Sequence, residues 1–186
     1  SVSCNCFTFT EKVGLWERLA RVAGDLDCVL HLGDQIYADT DFGAKKEGGV
    51  MFESAWRASN TILASVPKNE WTNHRAKILE CYRKTYRTTW NIPAVATVLA
   101  SAANYMICDD HEFVDNLGDE PEHSNPETVE FYIARVGYQV YCEYQMQLLK
   151  DLDVTDASLK PYYAFKLSPK VGFFMTDNRV ERSLHR

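Results

Sequence analysis

Cys28-Val29-Leu30-His31-Leu32-Gly33-Asp34-Gln35-Ile36-Tyr37-Ala38-Asp39 is the stretch on which the fold reading turns. A short apolar run ends at Gly33-Asp34, and Tyr37 follows three residues later. The run is too short for an isolated helix and apolar enough for a strand covered on both faces. Gly33 permits a sharp turn where that strand ends, and ligands of α/β sheets gather at the carboxyl ends of strands. Asp34 is therefore expected to point into a crevice, with Tyr37 reaching back toward it. A second such end follows in Asn104-Tyr105-Met106-Ile107-Cys108-Asp109-Asp110-His111-Glu112-Phe113-Val114-Asp115-Asn116, where acids and one histidine crowd behind another apolar run.

Outward from these two ends the pattern is that of an α/β protein. Val2 to Phe9 reads as a strand. Residues 11–24 read as a helix with Leu15, Leu19, Val22 and Ala23 on its buried stripe, Thr10 as its cap and Gly24 at its end. Strand, helix and strand over residues 2–32 make a βαβ unit with parallel strands. The Gly-rich, charged stretch 40–49 reads as a loop placed to act as a lid, within a loop region reaching residue 69. A helix is expected over 70–90, with Trp71, His74, Ile78, Leu79, Tyr82 and Tyr86 on one face, and a shorter one over 93–102 begun by Pro93. A strand over 104–108 leads into the second acid cluster. After a polar loop at 118–126, a long helix over 127–150 carries Val129, Ile133, Val136, Val140 and Tyr144 along its apolar edge. Tyr162–Leu167 and Val171–Thr176 read as a β-hairpin.

The 186 residues suffice for one domain with a sizeable core. A net charge of −6 argues against a nucleic-acid or anionic-membrane surface. No run approaches the ~20 apolar residues needed to span a bilayer, and the sequence reads as soluble. The six cysteines, at 4, 6, 28, 81, 108 and 142, form no C-x-x-C unit and no disulfide scaffold. Cys28 and Cys108 read as small buried hydrophobes, and Cys6 as structural. The chain opens inside a strand and stops at Ser183-Leu184-His185-Arg186, so a segment of a longer protein is expected.

Two acidic strand ends with a tyrosine and a histidine suit hard cations that prefer oxygen ligands. A carboxylate between two cations can bridge them, and such a pair orients a phosphate ester, activates a water and stabilises the leaving oxygen. His111 could then pass a proton to the departing alkoxide. Taken singly, the residues have plainer readings. Tyr37 fits a packing aromatic as well as a ligand, Cys4 fits a buried thiol, and Arg179 fits a surface residue paired to Glu181 or Asp177. His31 reads as structural, His74 and His123 as helix-face and loop residues, and the aromatic series Tyr132, Tyr138, Tyr141 and Tyr144 as core.

Taken together, Gly33-Asp34-Gln35-Ile36-Tyr37-Ala38-Asp39, Asp109-Asp110-His111-Glu112-Phe113-Val114-Asp115-Asn116 and the opening Val2-Ser3-Cys4-Asn5 resemble the PhoD-like (alkaline phosphatase D) branch of the calcineurin-like metallophosphoesterases, in order and in separation. Asp177-Asn178-Arg179 with Glu181-Arg182 is similar to that branch's later Asp-x-Arg segment. The resemblance runs from Cys4 to Arg182. It implies a metallophosphoesterase-like αββα sandwich, here partial, that hydrolyses phosphomonoesters or phosphodiesters at a dinuclear or larger metal centre, iron(III) with calcium(II), other divalent ions being alternatives. By the same resemblance, Cys4 and Tyr37 bind iron, Asp34 bridges to the second metal, and Asp110 ligates that metal at a position where related enzymes carry asparagine. His111 matches the histidine beside the phosphate, and Arg179 is placed to contact a substrate oxyanion, a role that its guanidinium fork suits.

Ser3-Cys4-Asn5 replaces the wider family's Asp-x-His, as in the branch itself. The downstream Gly-Asp-x-His-type motif is missing, and His185 alone does not replace it. A second reading is therefore a non-catalytic metal-binding or interaction module that keeps the fold. A helical adaptor, the third, leaves the acid clusters unexplained. Substrate class beyond phosphate ester, oligomeric state and compartment stay open, since the family includes exported and intracellular members.

Overall fold

The computed structural model describes residues 1–6, 14–41, 53–147, 149, 152–156 and 158–180. The architecture is α/β. The strand β1 (Cys28–Leu32) pairs in parallel with β2 (Ala103–Ile107), with Cys28 opposite Ala103 and Leu32 opposite Ile107. Because the two strands run level, the residues after Leu32 and after Ile107 leave the sheet at the same edge. Val2 lies along the other side of β1 in a parallel bridge to His31, held by Val2 N–H to Leu30 O and Leu32 N–H to Val2 O, both 2.8 Å. Of the strand expected over residues 2–9, only Val2 pairs, residues 3–6 are not strand, and residues 7–9 lie outside the described residues.

β1 is not covered on both faces. Val29 and His31 are buried while Leu32 is 47% exposed, so the strand alternates as a half-buried one does. The helix α1 (Leu15–Val22) is shorter than the 11–24 expected, and its proposed cap Thr10 lies outside the described residues. Its buried stripe is also rotated from the expected one. Leu15 and Val22 face solvent, and Trp16, Leu19, Ala20 and Ala23 pack on Val29 together with Val95 and Val98 of α4 (Pro93–Ser101). The indole decides the face, because Trp16 has the most apolar area to bury and its Nε1–H donates to Asn5 Oδ1 at 2.7 Å.

The helical side is built from α2 (Ala55–Leu63), α3 (Arg75–Trp90) and α5 (Val129–Tyr141). α2 falls inside the region expected to be loop. Ser54 caps it by accepting Arg57 N–H, and Ala55, Ser59 and Leu63 form its buried stripe, with the polar Ser59 at a fully buried position. The expected helix over 70–90 is α-helical only from Arg75, residues Lys68–His74 being a tighter 3₁₀ segment. Ile78, Leu79, Tyr82 and Tyr86 are buried as expected, against Ile133, Val136 and Val140 of α5. Gly137 is where the two helices meet most closely: a Cβ there would lie 2.8 Å from Tyr82 Cε1. The expected long helix over 127–150 starts at its cap Thr128 and becomes a π turn over Cys142–Met146, where Gln147 N–H donates to Cys142 O at 2.9 Å.

The hairpin of β3 (Tyr163–Ser168) and β4 (Val171–Met175) forms as expected, with an irregularity between Lys166 and Ser168. It joins the parallel pair through Tyr163, whose hydroxyl donates to Met106 O at 2.8 Å, and through the stacked rings of Tyr105 and Phe165. Of the stretch 40–49 expected as a lid, residues 42–49 lie outside the described residues. Among those residues no helix is long and apolar enough to cross a membrane.

Candidate metal centre

The two strand ends meet at Gly33. With φ at +97° and an ideal Cβ only 2.5 Å from Asp109 Cβ, no other residue fits there without displacing the second loop. Asp34 follows in the left-handed region at φ +56°, and Cys4 is left-handed as well, at +54°. Such backbone is costly for a side-chain-bearing residue and persists only where its surroundings fix it. Here Asn5 N–H donates to Asp34 O at 2.7 Å and Cys4 N–H to Gly33 O at 3.3 Å, tying the N-terminal segment to the turn. His31, buried beneath the turn, contacts Gln35 Oε1 at 2.6 Å and Asn104 Oδ1 at 2.8 Å and so has the structural place expected of it.

These loops bring together the residues singled out in the sequence. One ligand atom from each of Asp34, Asp110 and His111 lies within 4.8 Å of the others. Cys4 Sγ stands 3.4 Å from Asp34 Oδ2, and the Tyr37 hydroxyl 3.5 Å from the same oxygen. Cys4 is exposed rather than buried. Arg179 reaches in from the segment after β4. Its Nε donates to Asp109 Oδ1, its Nη2 lies 3.7 Å from Asp110 Oδ1, and only its backbone N–H goes to Asp177. The alternative pairing to Glu181 lies outside the described residues.

The electrostatics are those of a site short of positive charge. Burial raises the Asp34 carboxyl above its ordinary range, and Asp109 and Asp110 add to this against the pull of His111. Partial desolvation raises the thiol of the otherwise exposed Cys4, burial raises the Tyr37 phenol, and the Asp34 charge adds to both. The acids Asp34, Asp39, Asp109, Asp110 and Glu112 thus face Arg179 and His111 in a partly desolvated space. A multivalent cation fits this donor set, with carboxylate, phenolate and thiolate groups that give up their protons to it.

Two residues that sequence reasoning left without a role prove central to the geometry. Asp39 accepts from His111, both of its oxygens lying 2.9 Å from Nδ1, and it also accepts Asp115 N–H at 2.6 Å. Burial alone would lower the His111 pKa, but the Asp39 bond and the Asp39, Asp34 and Asp110 charges push it up to about 9. The ring stacks on Tyr37 with centroids 4.1 Å apart. Glu112 is fully buried and accepts from Asp34 N–H (3.0 Å), Gln35 N–H (2.7 Å), Asp109 N–H (2.9 Å) and Gln145 Nε2 (3.1 Å). One carboxylate therefore clasps both strand ends and the π turn. Burial and the Asp34 charge push it up to about 7, opposed by its N–H donors. The signal for Glu112 was an acid set directly before the apolar pair Phe113-Val114, which by itself does not separate a clasp from a ligand.

A family model described as PhoD-like phosphatase matches residues 1–186. Neither the curated proteins nor the solved structures yield a match.

Proposed function

Because the chain belongs to the PhoD-like phosphatase family, we propose that it hydrolyses phosphoric esters, monoesters or diesters, with a metal-activated water at the site formed by its two strand ends. The observation that carries this reading is the approach of Asp34, from the loop after β1, to within 4.8 Å of Asp110 and His111, from the loop after β2. In this reading Cys4, Tyr37 and Asp34 would hold an iron(III) ion, and Asp34 and Asp110 would hold a second, calcium(II) or other divalent, ion. Bound metals would supply a water acidic enough to act near neutral pH and charge to stabilise the phosphoryl oxygens.

The chain's own residues complete the proposal. His111, held by Asp39, is suited to donate a proton to the leaving alkoxide. Tyr37 limits its tilt by stacking. Arg179, anchored by Asp109 and near Asp110, holds its positive charge beside the acid cluster, where it can offset charge on the phosphoryl oxygens. Turnover of a chromogenic phosphate ester, measured with the metal-loaded protein, tests the reading. Asp34→Asn is expected to abolish it, and turnover unchanged by that substitution would refute the proposal. Tightly bound metal with no turnover of monoester or diester would favour the non-catalytic binding module instead.

A further inference from the structure

The loop that carries Asp110 and His111 continues through Phe113 and Leu117 into the wall of a cleft of about 300 Å³, to which the proposed reaction gives no use. Phe131, Ala134 and Tyr138 of α5 add to its lining, as does Val180. The volume is at the lower end of small-molecule sites, and a mostly aromatic and aliphatic lining is usual for them. Arg179 belongs to both spaces, since it lines the cleft and also reaches Asp109 and Asp110. Cleft and acid cluster thus share a loop and a side chain.

The cations of the cleft, its tyrosine and its histidine are already engaged. The Arg179 charge is met by Asp109 and Asp110, with Asp119 adding to the compensation. The Arg135 guanidinium stands 4.9 Å over the Tyr138 ring and has a partner besides. The Tyr138 hydroxyl donates to Leu159 O at 2.6 Å. His123 Nδ1 accepts Gly118 N–H at 3.2 Å, and its ring stands edge-on to Trp56. Ser124, the remaining polar side chain, is exposed to solvent. A carboxylate or a second phosphate entering here would shed water and meet no uncompensated cation, which is costly. An uncharged ring has little hydration to lose and gains contact with three aromatic side chains.

We infer that this cleft receives the alcohol part of the ester, and that the group it takes is a single uncharged aromatic ring. The inference rests on the phosphoesterase reading and narrows its substrate class to neutral aryl esters.

The test compares kcat/KM for phenyl phosphate, 4-carboxyphenyl phosphate and methyl phosphate on the metal-loaded protein, in wild type and in two variants. Reading each variant as a ratio to wild type cancels the differing acidities of the three alcohols. Phenyl phosphate is expected to exceed both others. Phe131→Ala is expected to lower the phenyl-to-methyl ratio about three- to tenfold, the scale of one aromatic contact. Ala134→Leu, which fills the cleft from α5 without removing a wall, is expected to lower the same ratio. Ratios equal in wild type and both variants overturn the subsite, and a preference for 4-carboxyphenyl over phenyl phosphate overturns its neutral character. Binding of 4-fluorobenzyl alcohol, followed by its fluorine NMR signal, needs no turnover and separates the two ideas. Saturable binding weakened by Phe131→Ala, on a protein that hydrolyses no ester, keeps the cleft and removes the phosphoesterase reading. Hydrolysis without such binding removes the cleft alone.

Discussion

Glu112 shows how much of the site depends on a residue that no metal or substrate need touch. Its carboxylate is an acceptor at every contact, and all of its partners are N–H donors, from the loop after β1, the loop after β2 and Gln145. Glutamine has nearly the same shape but must turn an NH₂ group toward one of those donors. Glu112→Gln is accordingly expected to cost about 1–3 kcal/mol, the penalty for a buried polar group left unsatisfied. The urea midpoint should fall with its slope unchanged, and turnover should fall with it, because Asp34 and Asp109 lose their common anchor. A variant with wild-type midpoint and wild-type turnover would show that the clasp holds nothing. Asp39 acts at the same scale by a different route, since it fixes the charge and orientation of His111 rather than the spacing of the loops.

At the scale of elements, the level register of β1 and β2 accounts for the convergence. Leu32 opposite Ile107 means that both chains turn at one edge, and Gly33 permits the turn at van der Waals distance from Asp109. The helices then brace the loops from behind. Tyr82 of α3 donates to Phe113 O at 3.3 Å, and the π turn after α5 presents Gln145 to Glu112. A π turn inserts one residue into the helical register and so redirects the side chains that follow, a device frequent at functional sites. The α3–α5 crossing is set by Gly137. Gly137→Ala would place a methyl group 2.8 Å from the Tyr82 ring and is expected to destabilise by about 1–3 kcal/mol through overpacking, despite alanine's better helix propensity. Thermal or urea unfolding measures this, and a stabilised Gly137→Ala would mean that the two helices separate without cost.

Across the whole molecule, the candidate centre lies where the N-terminal segment, both β1 and β2 ends and the segment after β4 come together. A cation bound there would link segments far apart in the chain and would favour the folded state over the unfolded one. For a chelator-treated sample, metal at 100 times its Kd is expected to add about 2.7 kcal/mol of stability. The melting temperature should rise on addition of iron(III) and calcium(II), and Asp34→Asn should remove most of the rise. Identical melting curves with and without metal would argue against a built centre. The amino-acid sequence by itself determined the α/β class, the two strand ends, the hairpin, the apolar faces of α3 and α5, and the motifs that carry the family, because each is written in local periodicity or in contiguous letters. Only the tertiary structure decided which face of α1 is buried, since Trp16 outweighs the leucine and valine stripe once Asn5 and Val29 are beside it. It alone also set α2 on a stripe interrupted by the buried Ser59, placed Arg179 on Asp109 and Asp110, and made Glu112 a clasp and Asp39 a partner of His111. Those roles depend on groups some 70 or more residues apart meeting at one sheet edge, and burial at that edge, not residue type, fixes what each charge can do.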